Sequence, residues 1–152
     1  MEIRLLADCP EHLPTLAEWF HSEWGHVVAG GTVEGFVERL QTHLGRDALP
    51  LALVALDGGV ALGTASIRAA EMASRPELTP WLGGMYVPEE ARGRGIGEAL
   101  VRAAEQRARE MGFGEMYLFA TDREAWYRRL GWTSLGPAEH HGERCVLMRT
   151  EL

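Results

Sequence analysis

Apolar positions along the chain change period repeatedly, and each change marks an element. Glu2 to Leu6 reads as a short strand, closed off by Asp8 and Pro10. Behind it, Leu13, Leu16, Ala17 and Phe20 recur three and four residues apart, the stripe of an amphipathic helix. Thr32 has the side chain of an N-cap, followed by a second helical face of Val33, Phe36, Val37 and Leu40; Gly45 is its expected end. The loop between these helices, EWGHVVAGG, carries Trp24 and His26. The runs Leu51 to Leu56 and Val60 to Ile67 flank Asp57-Gly58-Gly59, which predicts a hairpin.

A loop with Pro76 and Pro80 leads to an expected strand, Trp81 to Val87, stopped by Pro88. Gly95 to Met111 predicts a long helix ended by Gly112, with Ile96, Leu100, Ala103, Ala104, Arg107, Ala108 and Met111 as its inner face. Glu115 to Thr121 predicts another strand. Glu124 to Leu130 predicts a short helix closed by Gly131. Trp132 to Pro137 and Glu143 to Thr150 predict a last strand pair around a His-His-Gly turn. The order is β-α-α-β-β-β-α-β-α-β-β. With no internal repeat and no linker, it predicts a single α/β domain over residues 1–152.

Composition narrows the function classes. The chain is 46% hydrophobic and 24% charged, a profile of globular rather than disordered proteins. No apolar run reaches the roughly 20 residues of a membrane span, so no membrane association is expected. The N-terminus lacks a basic stretch followed by an apolar one, so no signal peptide is expected and the expected location is cytoplasmic. A net charge of −7 argues against a nucleic-acid partner, whose phosphates it would repel. Cys9 and Cys145 are too few for a disulfide framework and read as buried free thiols. His140 and His141 are adjacent on a turn with no third ligand nearby; they read as a solvated hairpin tip, and no metal is expected.

The informative stretch is MYVPEEARGRGIGEALVRAAEQRAREMG. A strand enters a glycine-rich turn, and the turn opens a helix. The first amides of a helix have no internal acceptor, and the helix dipole places positive charge there. Gly93, Gly95 and Gly97 let a diphosphate approach the main chain, and Arg92 and Arg94 add cationic donors. A Walker loop is excluded, because no Gly-Lys-Ser/Thr follows. A dinucleotide loop is disfavoured, because GEMYLFAT, the next strand, has no acidic residue at its end.

Val87-Pro88-Glu89-Glu90-Ala91-Arg92-Gly93-Arg94-Gly95-Ile96-Gly97-Glu98-Ala99-Leu100 closely resembles the cofactor motif of the GNAT acetyltransferases, with one extra residue between Pro and Arg. The resemblance is strong over about residues 81 to 135. It implies a mixed central sheet flanked by helices, with one strand pair splayed apart. It implies acetyl-coenzyme A (acetyl-CoA) as cosubstrate, its pyrophosphate on the loop amides from Arg92 to Glu98 and its pantetheine arm along Met85, Tyr86 and Val87. Gly83-Gly84 suits the bulge that opens the splay. Tyr127-Arg128-Arg129-Leu130-Gly131-Trp132 resembles the end of the family's second cofactor motif, with Trp for Phe. By resemblance Tyr127 is the general acid toward the departing thiolate; packing of the short helix against the sheet is the competing role.

The implied activity is N-acetylation of an amine. The expected acceptor is a small molecule; a peptide N-terminus or lysine, or a non-catalytic acyl-CoA sensor, are the alternatives. Family members often carry a Glu on the strand before the loop, and WLGGMYV has none. Glu71, Glu23, His26 and Asp122 are the candidate bases, and Asp122 is equally a candidate N-cap for the short helix. Trp24 and Trp81 are candidates for the acceptor pocket, whereas Trp19 reads as core. Monomer and homodimer both stay open.

Overall fold

A computed structural model describes residues 1–152. Its elements run β1 (Glu2–Leu5), α1 (Leu13–Trp24), α2 (Val33–Gln41), β2 (Leu51–Asp57), β3 (Val60–Arg68) and β4 (Trp81–Tyr86). There follow α3 (Ile96–Glu110), β5 (Glu115–Ala120), α4 (Glu124–Arg129), β6 (Thr133–His140) and β7 (Glu143–Glu151). The strands form one mixed sheet in the order β1-β2-β3-β4-β5-β7-β6. All neighbours are antiparallel except β4 and β5.

The expected α/β class and mixed sheet are therefore present, and β2 explains the layering. Its residues LALVAL are buried without alternation, the pattern of a strand covered on both faces. Leu51, Leu53 and Ala55 join the core under α3. Ala52, Val54 and Leu56 join a second core with Leu16, Phe20, Phe36 and Leu40 of α1 and α2. Gly58 and Gly59 take positive φ of 58° and 83°, as a type I′ hairpin turn requires.

Local signals hold at several ends and fail at others. Thr32 caps α2 by accepting the Gly35 amide at 3.0 Å. That helix ends at Gln41, ahead of Gly45, which instead sits in a turn too tight for a Cβ: one would lie 2.1 Å from the Ala48 carbonyl oxygen. On α3 the buried face includes Val101 and Glu105 rather than Ala103 and Arg107. Glu105 is buried because Arg102 holds it at 3.2 Å and reaches the Leu130 carbonyl at 2.9 Å. Asp122 does not cap α4: Arg123 occupies the N-cap, and no side chain bonds there. No helix is long and apolar enough to cross a membrane.

Candidate active site

The splay at the centre of the sheet makes the site. β4 and β5 share a single register pair, Trp81↔Tyr117, and then part. On the other side of β4, Thr64↔Tyr86 is followed by Ser66↔Gly83, so three steps on β4 oppose two on β3. The extra residue is a bulge, and Gly84 within it has φ of 55°, which an L side chain rarely adopts. Beyond Trp81, the β4 edge facing β5 is unpaired and borders a cleft of about 1140 Å³. Met85, Tyr86 and Val87 line it.

The glycine turn closes one end of this cleft. Gly93 and Gly95 both have φ of 78°, and a Cβ at either would meet nothing within 4 Å. Their freedom serves the turn and leaves its face open. Ala99 N–H to the Gly95 carbonyl bridges the start of α3, leaving the amides of Ile96, Gly97 and Glu98 without helical acceptors. Gly97 plays another part: its Cβ would lie 3.3 Å from the Trp126 ring, so the glycine lets α4 pack close to α3. Arg92 donates to the Val87 carbonyl at 2.8 Å and lies over the Tyr86 ring, which ties the turn to the strand end. Arg94 is exposed and does not line the cleft.

Tyr127 enters from α4. The residue is 8% exposed, with its ring against Trp126 and Trp132 at 4.9 and 6.1 Å between centroids. Burial pushes its phenol up to about 12, Arg123 opposing and Asp122 assisting. It is therefore a neutral proton donor at any physiological pH. Its hydroxyl has no hydrogen-bond partner within the protein, and the residue lines the cleft.

The remaining half of the cleft is bounded by Phe20, Trp24, Phe36, Glu71, Phe119 and His140. Trp24 lines the cleft, in edge contact with Tyr86 at 6.2 Å. Asp122 and Glu23 also line the cleft, but His26 does not. Trp81 corrects the expectation: it is fully buried, its indole N–H bonded to the Leu78 carbonyl at 2.8 Å, in a core with Tyr117, Cys145 and Leu147. Its place on the last paired rung of β4 and β5 turns it inward. The His-His-Gly tip is a second correction. His140 is half-buried, its ring tilted against Phe119 with 4.4 Å between centroids, and burial together with His141 lowers its imidazole below the usual range.

Sequence reasoning missed His43 and Arg68, which also face this half. Arg68 Nε donates to His43 Nε2 at 3.0 Å, and Arg68 Nη1 donates to both Glu71 carboxylate oxygens at 3.0 and 2.9 Å. His43 Nδ1 donates to the Arg39 carbonyl at 2.8 Å. Burial, with Arg68 beside it, lowers the His43 imidazole to about 4. No cluster of three or more His, Cys, Asp or Glu side chains could hold a metal ion.

A splayed parallel strand pair, a glycine turn feeding a helix, and a buried tyrosine thus face one cleft. The chain belongs to the Acetyltransferase (GNAT) family, whose model matches residues 13–132. Solved structures share the fold. An aminoglycoside 6′-N-acetyltransferase complexed with coenzyme A superposes with TM-score 0.79 at 15% identity, over 99% of this chain and 97% of that one. The ribosomal-protein-alanine N-acetyltransferase from Brucella melitensis gives 0.78 at 22% identity, covering 100% of both. The putative acetyltransferase yncA from Salmonella typhimurium, solved with acetyl-CoA, gives 0.78 at 21%, over 99% and 93%. No match is found among curated protein sequences.

Proposed function

We propose that the protein transfers an acetyl group from acetyl-CoA directly to the primary amine of a small molecule. One observation carries this: the unpaired β4 edge, the open glycine turn and Tyr127 all border one continuous cleft. The residues fit the cofactor. The free amides of Ile96 to Glu98 and the open faces of Gly93 and Gly95 suit a pyrophosphate. The main chain of Met85 to Val87 offers unpaired groups to a pantetheine amide. Arg92, fixed on Val87, brings positive charge to the turn.

Bound there, acetyl-CoA supplies a thioester carbon for attack. The chain's own residues orient and protonate. The amine nitrogen forms the new C–N bond as the C–S bond breaks, and the sulfur receives the Tyr127 phenolic proton. The amine's surplus proton leaves to solvent, and solvent reprotonates the phenolate at once, since its pKa is about 12. Phe20, Trp24 and Phe36 give the acceptor half an aromatic wall, suited to a cationic or aromatic amine. That wall favours a small acceptor over an extended peptide. Release of free thiol from acetyl-CoA, measured across amines, aminoglycosides and peptides, tests the reading. Release with a small amine supports it; release only with peptides moves the acceptor to the peptide class; release with none removes the activity.

A further inference from the structure

The acceptor half holds a carboxylate that is built in place rather than merely exposed. Glu71 lies three residues past Arg68, where β3 has ended, and its side chain is 14% exposed. Arg68 grips both of its oxygens with one nitrogen, Nη1, and its own Nε is gripped by His43. His43 can serve only because it is neutral. Its Nδ1 proton is committed to the Arg39 carbonyl, which leaves Nε2 as a lone-pair acceptor for Arg68. In this chain of bonds Arg68 therefore donates both ways, to Glu71 on one side and, through neutral His43, toward the end of α2 on the other.

β4 makes room for this chain. A Cβ on Gly83 would lie 2.8 Å from Glu71 Oε2 and 3.0 Å from Arg68 Nη1. A Cβ on Gly84 would lie 2.9 Å from Arg68 Nη2. The glycine pair thus does more than form the bulge: it lets an ion pair lie directly over the strand that borders the cofactor half. With Arg68 committed to Glu71, and Arg39 bonded to Ala29, both guanidiniums on this side are engaged. Glu23, Glu38 and Glu143 add negative charge to the same lining.

Resting on the acetyl-transfer reading, we propose that Glu71 is the specificity anchor for the ammonium group of the acceptor, with His43 and Arg68 as its positioning residues. The cleft faces of the Glu71 oxygens receive an alkylammonium, while Trp24 and Phe36 cover its carbon chain. With its oxygens held by Arg68, Glu71 binds and orients the ammonium, and solvent takes one proton from it before the free amine attacks.

Calorimetry on the coenzyme A-saturated protein tests this, with hexylammonium as probe and hexanol as its neutral match. The wild type binds hexylammonium about tenfold or more tightly than hexanol, the size of one charge-assisted contact. Glu71→Gln keeps the shape and loses that preference. His43→Gln still offers an oxygen to Arg68 and keeps the preference; His43→Leu fills the space without an acceptor and loses most of it. Coenzyme A affinity stays unchanged in all three variants. Equal binding of the two probes by wild type, or a full preference in Glu71→Gln, overturns the anchor. A full preference in His43→Leu overturns the positioning role. Failure of the wild type to bind coenzyme A would instead strike the acetyl-transfer reading.

Discussion

Tyr127→Phe separates a catalytic tyrosine from a packing one, because turnover should fall while stability near neutral pH holds. The phenyl ring keeps its contacts with Trp126 and Trp132. The hydroxyl has no protein partner, so its removal orphans no group and folding stability near neutral pH should change by less than about 1 kcal/mol. Turnover should fall about 10²-fold, or about 3 kcal/mol of transition-state stabilisation, the low end for losing a general acid that water partly replaces. The loss should fall on kcat rather than on the KM for acetyl-CoA, since charge develops on sulfur only as the bond breaks. A pH signature accompanies it. The unfolded phenol ionises near 10 and the folded one near 12, so the folded state holds its proton longer. Stability is complete below pH 10 and falls by up to about 3 kcal/mol as pH rises to 12. Urea denaturation of wild type and variant at both pH values, beside steady-state kinetics, gives both answers. An active Phe variant with wild-type kcat would remove Tyr127 from the chemistry. An unchanged alkaline loss would refute its burial as the cause.

Further outcomes follow from other parts of the molecule. His43 titrates near 4 when folded against 6.5 when unfolded, so the unfolded state takes the proton first as pH falls. Stability should therefore drop by about 3 kcal/mol between pH 6.5 and 4, and His43→Gln should flatten that fall in urea melts. Gly95→Asp puts a carboxylate on the open face of the turn at φ of 78°. It should abolish coenzyme A binding by calorimetry while melting within a few degrees of wild type, since that position touches no core atom. Cys9 and Cys145 are buried, and burial pushes both thiols up, away from the reactive thiolate. Mass spectrometry after incubation with acetyl-CoA alone should find neither acetylated, and the double Ser variant should retain most of its turnover.

The strand, turn and helix that border the proposed cofactor half were legible in the sequence because their physics is local. A strand, a run of glycines and a helix are consecutive, so Gly93, Gly95 and the amides after them could be read from one string. The hairpin turn and the Thr32 cap were legible for the same reason. The proposed acceptor half joins distant segments, and only strand pairing brings Arg68 to His43, 25 positions away. No spacing rule announces that. Trp81 misled because Pro80 and a strand start look like a cleft edge, whereas its pairing with Tyr117 buries it. Gly97, besides its place in the turn, makes room for Trp126, a contact set by α4 that the loop string does not show. His140 looked solvated because its turn is polar; Phe119 on β5, across β7 from β6, gives the ring a surface to pack against.

Titration of acetyl-CoA into the wild-type protein, followed by calorimetry, tests the central claim most directly. The account predicts saturable binding to one site per chain, with a dissociation constant well below about 1 mM. Binding should weaken as salt rises, because part of it is phosphate on a positive turn. Absence of heat and of any thermal stabilisation at millimolar acetyl-CoA would contradict the claim that the β4 edge and the glycine turn form a cofactor site.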